Sequence, residues 1–374
     1  MRYLAGIDNL SSIDHVLRGK KIGLLTNPSG VNSNLCSTID ILNEKYTLVK
    51  LFAPEHGIRG EIQAGVHVPS YTDEQTGLEV VSMFGENYAD AIKSVDCIVY
   101  DIQGIGVRHF SYPYLMADVM KSAAVAGIPF VVLDRYNPLG LNKISGNIFD
   151  DTLSCAFGGF SLATRHGMTI GELAKYINAE YQIGCELYVA PCVGLERDKD
   201  YTDYKPHWIL PGPNCPTYET ALCYVGSVLF EGTNVSEGRG TTKPFELIGA
   251  PWLRNQEVVE RMRSMHLDGV AFRTAYFCPT FSKYSGEHCR ALQIHVTDKD
   301  TFDPYLCALL LFDTIRKTHS EFQFVDIGGM PNFFDHLTGT SRLRDEDFAP
   351  IAYIESQKGL LEKFKEISKK YYIY

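Results

Sequence analysis

The first two-thirds of the chain alternates short, nearly continuous apolar runs with segments whose apolar residues recur at helical spacing. Runs of this kind are typical of parallel strands that helices cover on both faces. The pattern predicts strands at residues 21–27, 46–54, 78–84, 96–102 and 129–134. It predicts helices between them, including 37–46 and 112–127, and therefore an α/β fold with a doubly wound, mostly parallel sheet.

Two more helices follow in this part of the chain. Residues 169–181 begin with Thr169 and carry Glu172 three residues later, which is the pattern of a capping box. Residues 218–230 form another largely apolar segment that we expect to be helical.

The pattern changes after about residue 240. Segments 269–277 and 290–298 alternate apolar and polar residues, as half-buried strands do, and 304–319 has the pattern of an amphipathic helix. We therefore expect two domains, a larger one at 1–240 and a smaller α+β domain at 241–374. Residues 360–374 are expected to form a solvated helix and tail.

Charged and amide side chains follow three of the predicted parallel strands at the point where each strand ends. In a doubly wound sheet, ligands bind at the carboxyl ends of the strands, so a cluster there predicts a site. The turn that follows a single strand can explain the polar residues at that strand end. Turns alone do not explain why polar residues follow three of the predicted strands. The residues in question are Glu55, His56 and Arg59, then Asp101, Gln103 and Arg108, then Asp134, Arg135 and Asn137.

Charge and cysteine content exclude several classes of protein. The 374 residues carry a formal net charge of −10 with no basic run, which argues against a nucleic-acid partner and against an anionic membrane surface. No apolar stretch is long enough for a membrane span. Ten scattered cysteines without a CxxC pair suit a reducing compartment, and the first residues do not resemble a signal peptide. We expect a cytoplasmic protein, or an exported one if a leader peptide has been removed.

Nucleotide and metal motifs are incomplete in this sequence. The segment QGIGVRH breaks the GxGxxG spacing at His109, and SEGRGTTK at 236–243 is not a phosphate-binding GxxxxGK[ST] loop. The HExxH and GxSxG motifs are absent, which disfavours zincins and α/β-hydrolase serine enzymes. We therefore expect no metal and no cofactor.

Several charged residues lie among glycines and suggest a site for an acidic ligand. Glu55 is either a general acid at a strand end or a surface turn residue, and Glu231 is either its partner or a structural cap. His56 and His166 either orient a neighbouring carboxylate or act on substrate. Asp101 and Asp134 either belong to the site or accept hydrogen bonds from backbone amides at the edge of the sheet. Singly, each loop arginine suits a structural ion pair, but together they suggest an anionic substrate; they are Arg108, Arg135, Arg165 and Arg239.

Six segments dense in these residues follow one another along roughly residues 20–250. They are LFAPEHGIRGEIQAG, YDIQGIGVRHFSYPY, VVLDRYNPLG, RHGMTIGELA, PGPNCPT and LFEGTNVSEGRGTTKPFELIGAP. In this order they resemble the motif series of the NamZ-type exo-β-N-acetylmuramidases. The resemblance implies a Rossmann-like domain with a smaller C-terminal domain and an active site in a cleft. It also implies release of N-acetylmuramic acid from the non-reducing ends of peptidoglycan fragments, without a cofactor.

Carried over by this resemblance, Glu55 is the leading catalytic carboxylate and Glu231 is the candidate for its partner. Asn234 and Arg239 would hold the sugar, whose lactyl carboxylate would explain the arginines. The remaining candidates for substrate binding are His56, Arg59, Asp101, Gln103, Arg108, Asp134, Arg135, Arg165, His166 and Asn214. The sequence departs from the usual motifs at Gly104, where an acidic residue is common, and at Tyr136, Gly212 and Cys215.

The expected mechanism has Glu55 protonating the leaving oxygen, while Glu231 or the acetamido group of the substrate assists at the anomeric carbon. The separation of the two carboxyl groups decides between retention and inversion, and the sequence leaves that open. An alternative function is a non-catalytic muropeptide-binding or sensing protein that uses the same cleft. A nucleotide-dependent enzyme on the same fold is a third. The substrate would be a recycled, imported fragment, while its glycan length and the oligomeric state of the protein stay open.

Overall fold

A computed structural model describes residues 2–60, 62, 69–83, 88–153, 155 and 158–374. The last residue of the predicted strand 78–84 lies outside this set, as do residues 61 and 63–65 of the first motif.

The described residues form twelve strands and eleven α-helices. The strands are β1 Lys21–Thr26, β2 Thr47–Ala53, β3 Tyr71–Thr72, β4 Glu79–Ser82, β5 Cys97–Asp101, β6 Phe130–Leu133, β7 Ser145–Ile148, β8 Ala163–Arg165, β9 Leu187–Ala190, β10 Leu247–Ala250, β11 Val270–Phe277 and β12 Cys289–Val296. The helices are α1 Asp14–Leu17, α2 Thr38–Lys45, α3 Ala89–Lys93, α4 Tyr112–Ala126, α5 Ile170–Glu180, α6 Tyr201–Tyr204, α7 Tyr218–Ser227, α8 Asn255–Ser264, α9 Pro304–Thr318, α10 Phe333–Thr338 and α11 Pro350–Ser368. Short 3₁₀ turns include Gly6–Ser12 and Val228–Gly232.

The larger sheet has seven strands in the order β3-β4-β2-β1-β5-β6-β9. All neighbours are parallel except β3, which pairs antiparallel with β4. Without β3, the six parallel strands follow the order 3-2-1-4-5-6 of a Rossmann fold, whose switch point lies between β1 and β5. The predicted doubly wound, mostly parallel sheet is confirmed.

The strands predicted from apolar runs are the buried centre of this sheet. Every residue of β5 and β6 is buried, and β1 is buried beyond its first residue. Helix α5 has the predicted capping box: the Thr169 side chain accepts a hydrogen bond from the Glu172 backbone, and the Glu172 side chain accepts one from Thr169. This helix is therefore fixed at its start, beside the end of β6.

A smaller antiparallel sheet has the order β10-β12-β11 and confirms both half-buried strands predicted after residue 240. Helices α8 and α9 pack with it around one apolar core. Buried residues of α7 belong to the same core, although α7 precedes residue 240. The division of the chain at residue 240 stays a prediction.

The C-terminal residues dock onto the larger sheet, so the prediction of a solvated tail is wrong. The Tyr374 hydroxyl donates to Asp134 Oδ2 at 2.8 Å and accepts from the Cys192 backbone at 2.6 Å. The Arg197 guanidinium carbon lies 3.4 Å from the centroid of the Tyr372 ring. The lysine-rich sequence of α11 hid these contacts, because they are made by aromatic residues that follow the helix.

None of the helices in the described part of the chain combines the length and apolar character that crossing a membrane requires.

Candidate active site

A cavity of about 210 Å³ lies where the ends of β2 and β5 meet the segments before and after α7. Five of the residues predicted from sequence line it together, namely Glu55, His56, Asn214, Glu231 and Arg239. Aromatic and small residues complete the wall, among them Phe110, Ser111, Tyr224, Phe245 and Phe333. The structure thus brings the two candidate catalytic carboxylates into one cavity.

Glu55 comes two residues after the end of β2, which delivers it to the carboxyl edge of the sheet. It is half-buried, and the Ser111 hydroxyl donates to its Oε2 at 3.4 Å. His56 follows with a φ of 78°, a left-handed conformation that a residue with a side chain adopts only when its surroundings impose it. Its Nδ1 lies 2.8 Å from the Ile62 carbonyl oxygen, which only accepts, so Nδ1 carries a proton in this contact.

Glu231 enters the cavity from the 3₁₀ turn Val228–Gly232, which directly continues α7. Arg239 Nη2 donates to Glu231 Oε1 at 2.6 Å, and each side chain is 19% exposed. The guanidinium carbon of Arg239 also lies 5.1 Å from the centroid of the Phe245 ring. Ion pairing and stacking together hold Arg239 in one orientation at the cavity wall.

Two further charges support this ion pair from behind. Glu237 Oε1 lies 3.3 Å from Arg239 Nε, and its Oε2 accepts from Lys283 Nζ at 3.0 Å. Burial by itself raises the pKa of Glu237, but the charges of Lys283 and Arg239 outweigh it and the pKa lies below its usual value. Lys283 also donates to the Phe230 and Val235 carbonyls, so it ties both ends of the Glu231 turn together.

Tyr224 and His109 also line the cavity, and neither was a candidate from the sequence. Burial raises the pKa of Tyr224 well above its usual value, and the charges of Glu231 and Glu55 add to the shift, so this phenol stays protonated. Burial and the charge of Arg108 lower the pKa of His109 well below its usual value, so this imidazole is neutral. Tyr224 lies within the apolar pattern of α7, and no sequence signal distinguishes it from a core residue.

Asn214 reaches the cavity from the segment between α6 and α7. The Asn27 side chain donates to the Pro211 carbonyl at 3.3 Å, and Trp208 Nε1 donates to the Cys215 carbonyl at 3.0 Å. These two contacts anchor the segment on both sides of Asn214.

Asp101 and Arg135 lie at the switch point, outside the lining of this cavity. Arg135 Nε donates to Asp101 Oδ1 at 2.5 Å and Nη2 donates to Oδ2 at 2.8 Å, with both side chains buried. The hydroxyl of Thr38, the first residue of α2, donates to the same Asp101 carboxylate. This contact joins the carboxylate to the start of the helix that follows β1.

Three other candidates make buried contacts with the protein. Asp134 accepts from the Gly171 backbone at 2.7 Å and from the Thr169 hydroxyl at 2.9 Å, and burial raises its pKa to about 6. Arg108 donates to Asn147 and to the Thr338 carbonyl. Burial lowers the pKa of Arg165 to about 10, and its guanidinium donates to the Leu139 carbonyl.

The last four candidates also have protein partners. Arg59 pairs with Asp73 at 2.8 Å, and the Gln103 amide donates to the Gly104 and Tyr136 carbonyls. Asn234 donates to the Glu321 carbonyl and accepts from the Gln323 backbone. His166 accepts from the Met168 backbone, and burial lowers its pKa to about 4. Substrate binding stays a prediction for the nine candidates outside the lining of this cavity, which are Arg59, Asp101, Gln103, Arg108, Asp134, Arg135, Arg165, His166 and Asn234.

Within the described residues, no group of three or more His, Cys, Asp or Glu side chains is placed to hold a metal ion.

Two family models account for almost the whole chain. The model of the N-terminal part of the exo-β-N-acetylmuramidase NamZ matches residues 22–219, and the model of its C-terminal part matches residues 222–374. The chain belongs to the NamZ family. The resemblance of the six motifs is thereby confirmed.

One curated relative and two solved structures are similar to the protein along most of their length. It is 44% identical to the peptidoglycan β-N-acetylmuramidase NamZ of Bacillus subtilis (strain 168) over 379 aligned positions, covering 99% of this chain and 91% of the relative. Two crystal structures of DUF1343 family proteins from Bacteroides fragilis share its fold, at TM-scores of 0.89 and 0.79. Their sequence identities are 32% and 26%, and each comparison covers 100% of this chain and 99% of the other.

Proposed function

We propose that this protein is a glycoside hydrolase that releases N-acetylmuramic acid from the non-reducing ends of peptidoglycan fragments, with Glu55 as its general acid. Membership of the NamZ family and identity to a peptidoglycan β-N-acetylmuramidase support the activity. The observation that carries the assignment of the site is that Glu55 and Glu231 line the same cavity.

Hydrolysis of a glycosidic bond ordinarily uses two carboxyl groups with different roles. Glu231 makes a charge-assisted hydrogen bond to Arg239, which suits a group that carries negative charge beside the developing oxocarbenium ion. Glu55 accepts a hydrogen bond from a neutral serine hydroxyl. A carboxyl group in that setting suits the proton donor to the leaving oxygen, with the assistance at the anomeric carbon coming from Glu231 or the acetamido group.

The remaining cavity residues suit an acidic N-acetyl sugar. The rings of Phe110, Phe245 and Phe333 offer apolar faces for the C–H groups of a pyranose. Asn214 supplies an amide for the acetamido group, and Arg239 supplies a guanidinium that matches a carboxylate. In this proposal Arg239 serves both Glu231 and the sugar.

We further propose that the protein works on recycled fragments in the cytoplasm. All ten cysteines are free thiols and seven of them are buried, as suits a reducing compartment. Burial raises the pKa of the Cys185 thiol to about 11, so this thiol is not a ready nucleophile for disulfide exchange.

The test is hydrolysis of a chromogenic β-N-acetylmuramide by the purified protein, with the released sugar identified by mass spectrometry. We expect turnover by the wild type without added metal or nucleotide. In Glu55→Gln we expect a large loss on a glycoside with a poor leaving group, which depends most on protonation. A protein that binds the glycoside tightly and never cleaves it would instead be a muropeptide-binding or sensing protein.

A further inference from the structure

A second cavity, of about 150 Å³, lies at the switch point of the larger sheet. Its wall is formed by the loop after β1, by Gln103 and Arg135 after β5 and β6, by the N-terminal residues and by residues 204–209. It shares no lining residue with the cavity of Glu55. Ligands of doubly wound proteins bind in the crevice at this place.

Arg135 places a fixed hydrogen-bond donor at this cavity. The residue is only 6% exposed, and its Nε and Nη2 are held by Asp101 and by the Val31 carbonyl. Its third nitrogen, Nη1, makes no hydrogen bond to any residue that the structure describes. A buried guanidinium that is fixed on one edge and open on the other is organised in advance for a polar ligand.

The charge around the cavity favours an anion. Arg2 and Lys205 lie at the rim, and neither forms an ion pair with a described residue. The acidic residue of the lining, Asp8, is occupied by the Ser33 backbone and hydroxyl at 3.1 Å. Counting Arg135 with its partner Asp101, one positive charge is left uncompensated, which matches a single carboxylate.

Three tyrosine rings also line this cavity. The Tyr3 ring centroid lies 5.3 Å from that of Tyr136 and 5.4 Å from that of Tyr204. Nearby, Leu35 is 49% exposed and is held in a left-handed conformation with a φ of 64°. A ligand that satisfies this wall has a ring or an aliphatic face as well as its charged group. At this volume the ligand is smaller than those of typical drug-sized pockets, which occupy roughly 300–1,000 Å³.

We propose that the switch-point cavity is a second binding site, for a small monocarboxylate that carries a ring or aliphatic face. Its carboxylate lies between Arg135 Nη1 and the Lys205 ammonium group, and its apolar face lies on the tyrosines. Two sources have this chemistry, a free sugar acid and the C-terminal carboxylate of a short peptide. The site is independent of the catalytic role of Glu55.

The test uses calorimetric titration with N-acetylmuramic acid, with alanyl-alanine, and with N-acetylglucosamine, which lacks the carboxylate. The double variant R2E/K205E reverses the charge of the rim, R2M/K205M only removes it, and Lys363→Glu on the exposed face of α11 is the matched control. Because Arg2 and Lys205 are exposed, the double variants are expected to keep the melting temperature of the wild type.

We expect a binding event for at least one carboxylate probe that weakens about tenfold or more in R2E/K205E, less in R2M/K205M, and not in the control. N-acetylglucosamine should show no rim-dependent binding. The probe that responds identifies the source of the carboxylate. The rate of hydrolysis of the chromogenic glycoside should stay within about twofold of the wild-type rate in every variant. This measurement tests the proposed catalytic function separately from the second binding site. Carboxylate binding that is the same in R2E/K205E and in the wild type, or absent from both, would overturn the second site.

Discussion

Arg239 and Glu231 are joined by a 2.6 Å hydrogen bond at the wall of the cavity that also contains Glu55. The same guanidinium lies 3.3 Å from the buried Glu237, which in turn pairs with Lys283. Two carboxylates and two cations therefore alternate from the cavity into the protein. The position of Glu231 depends on this row of charges. The last residue of the row, Lys283, belongs to the β11–β12 connection.

Replacing Glu55 tests the proton donor. In Glu55→Gln we expect kcat on a β-N-acetylmuramide with a poor leaving group to fall by about 10²–10⁴-fold, because the amide cannot protonate the leaving oxygen. The KM should change much less. The matched control is Glu44→Gln on the exposed face of α2, which should keep wild-type kinetics. Wild-type turnover by the Glu55 variant would remove this residue from the mechanism.

The row of charges formed by Glu231, Arg239, Glu237 and Lys283 predicts that removing the charge of Glu237 partly restores a variant that lacks Lys283. Lys283→Met leaves the buried Glu237 without its ammonium partner, so Glu237 competes with Glu231 for Arg239. We expect kcat to fall by about tenfold and stability by about 3–5 kcal/mol. In K283M/E237Q both charges are removed together, and part of both losses should return. The measurements are kcat and urea denaturation of both single variants and the double variant. Losses that simply add in the double variant would contradict the coupling.

The docked C-terminus predicts an effect on stability. Tyr374→Phe removes the hydroxyl that donates to Asp134 and accepts from the Cys192 backbone. The buried Cys192 amide then loses this acceptor, and Asp134 keeps its other donors, Gly171 and Thr169. We expect the free energy of unfolding to fall by about 1–3 kcal/mol. Tyr276→Phe is the control, because Tyr276 is 73% exposed. Equal urea midpoints for the two variants would show that the C-terminal contact adds no stability.

Asp134 predicts a pH dependence of stability. Burial raises its pKa from the usual value of 3.8 to about 6 in the folded protein. Because the folded state holds the proton more tightly, the contribution of Asp134 is fully present below about pH 4 and is lost as the pH rises through about 6. The loss amounts to about 3 kcal/mol. Relative to Asp134→Asn, the wild type should therefore lose stability across this window in denaturation experiments. A difference that is constant or grows with pH would contradict the shifted pKa.

Within the larger sheet, the strands that were predicted from sequence are those at its buried centre. Strands β1, β2, β5 and β6 show continuous apolar runs because helices cover them on each side. By contrast, β9 is at the edge of the sheet and mostly half-buried, and β3 has only two residues, so neither leaves a clear pattern.

The residues of the candidate site were predictable where a local sequence pattern marks them. Glu231 and Arg239 share one motif, and Glu55 follows a strong strand signal. Lys283 comes from the β11–β12 connection, more than forty residues beyond Glu237, and no local pattern marks it as a partner. Arg135 has the composition of a ligand-binding residue, but the sequence does not reveal that Asp101 holds two of its nitrogens.

The most direct test of the catalytic assignment is a crystal structure of the Glu55→Gln variant with an oligosaccharide that ends in N-acetylmuramic acid. The catalytic assignment predicts that the terminal sugar lies in the 210 Å³ cavity. Its glycosidic oxygen should be within hydrogen-bond distance of the side chain at position 55, and its anomeric carbon should face Glu231. A terminal sugar whose glycosidic oxygen lies beyond the reach of position 55, or one seated only in the switch-point cavity, would contradict it.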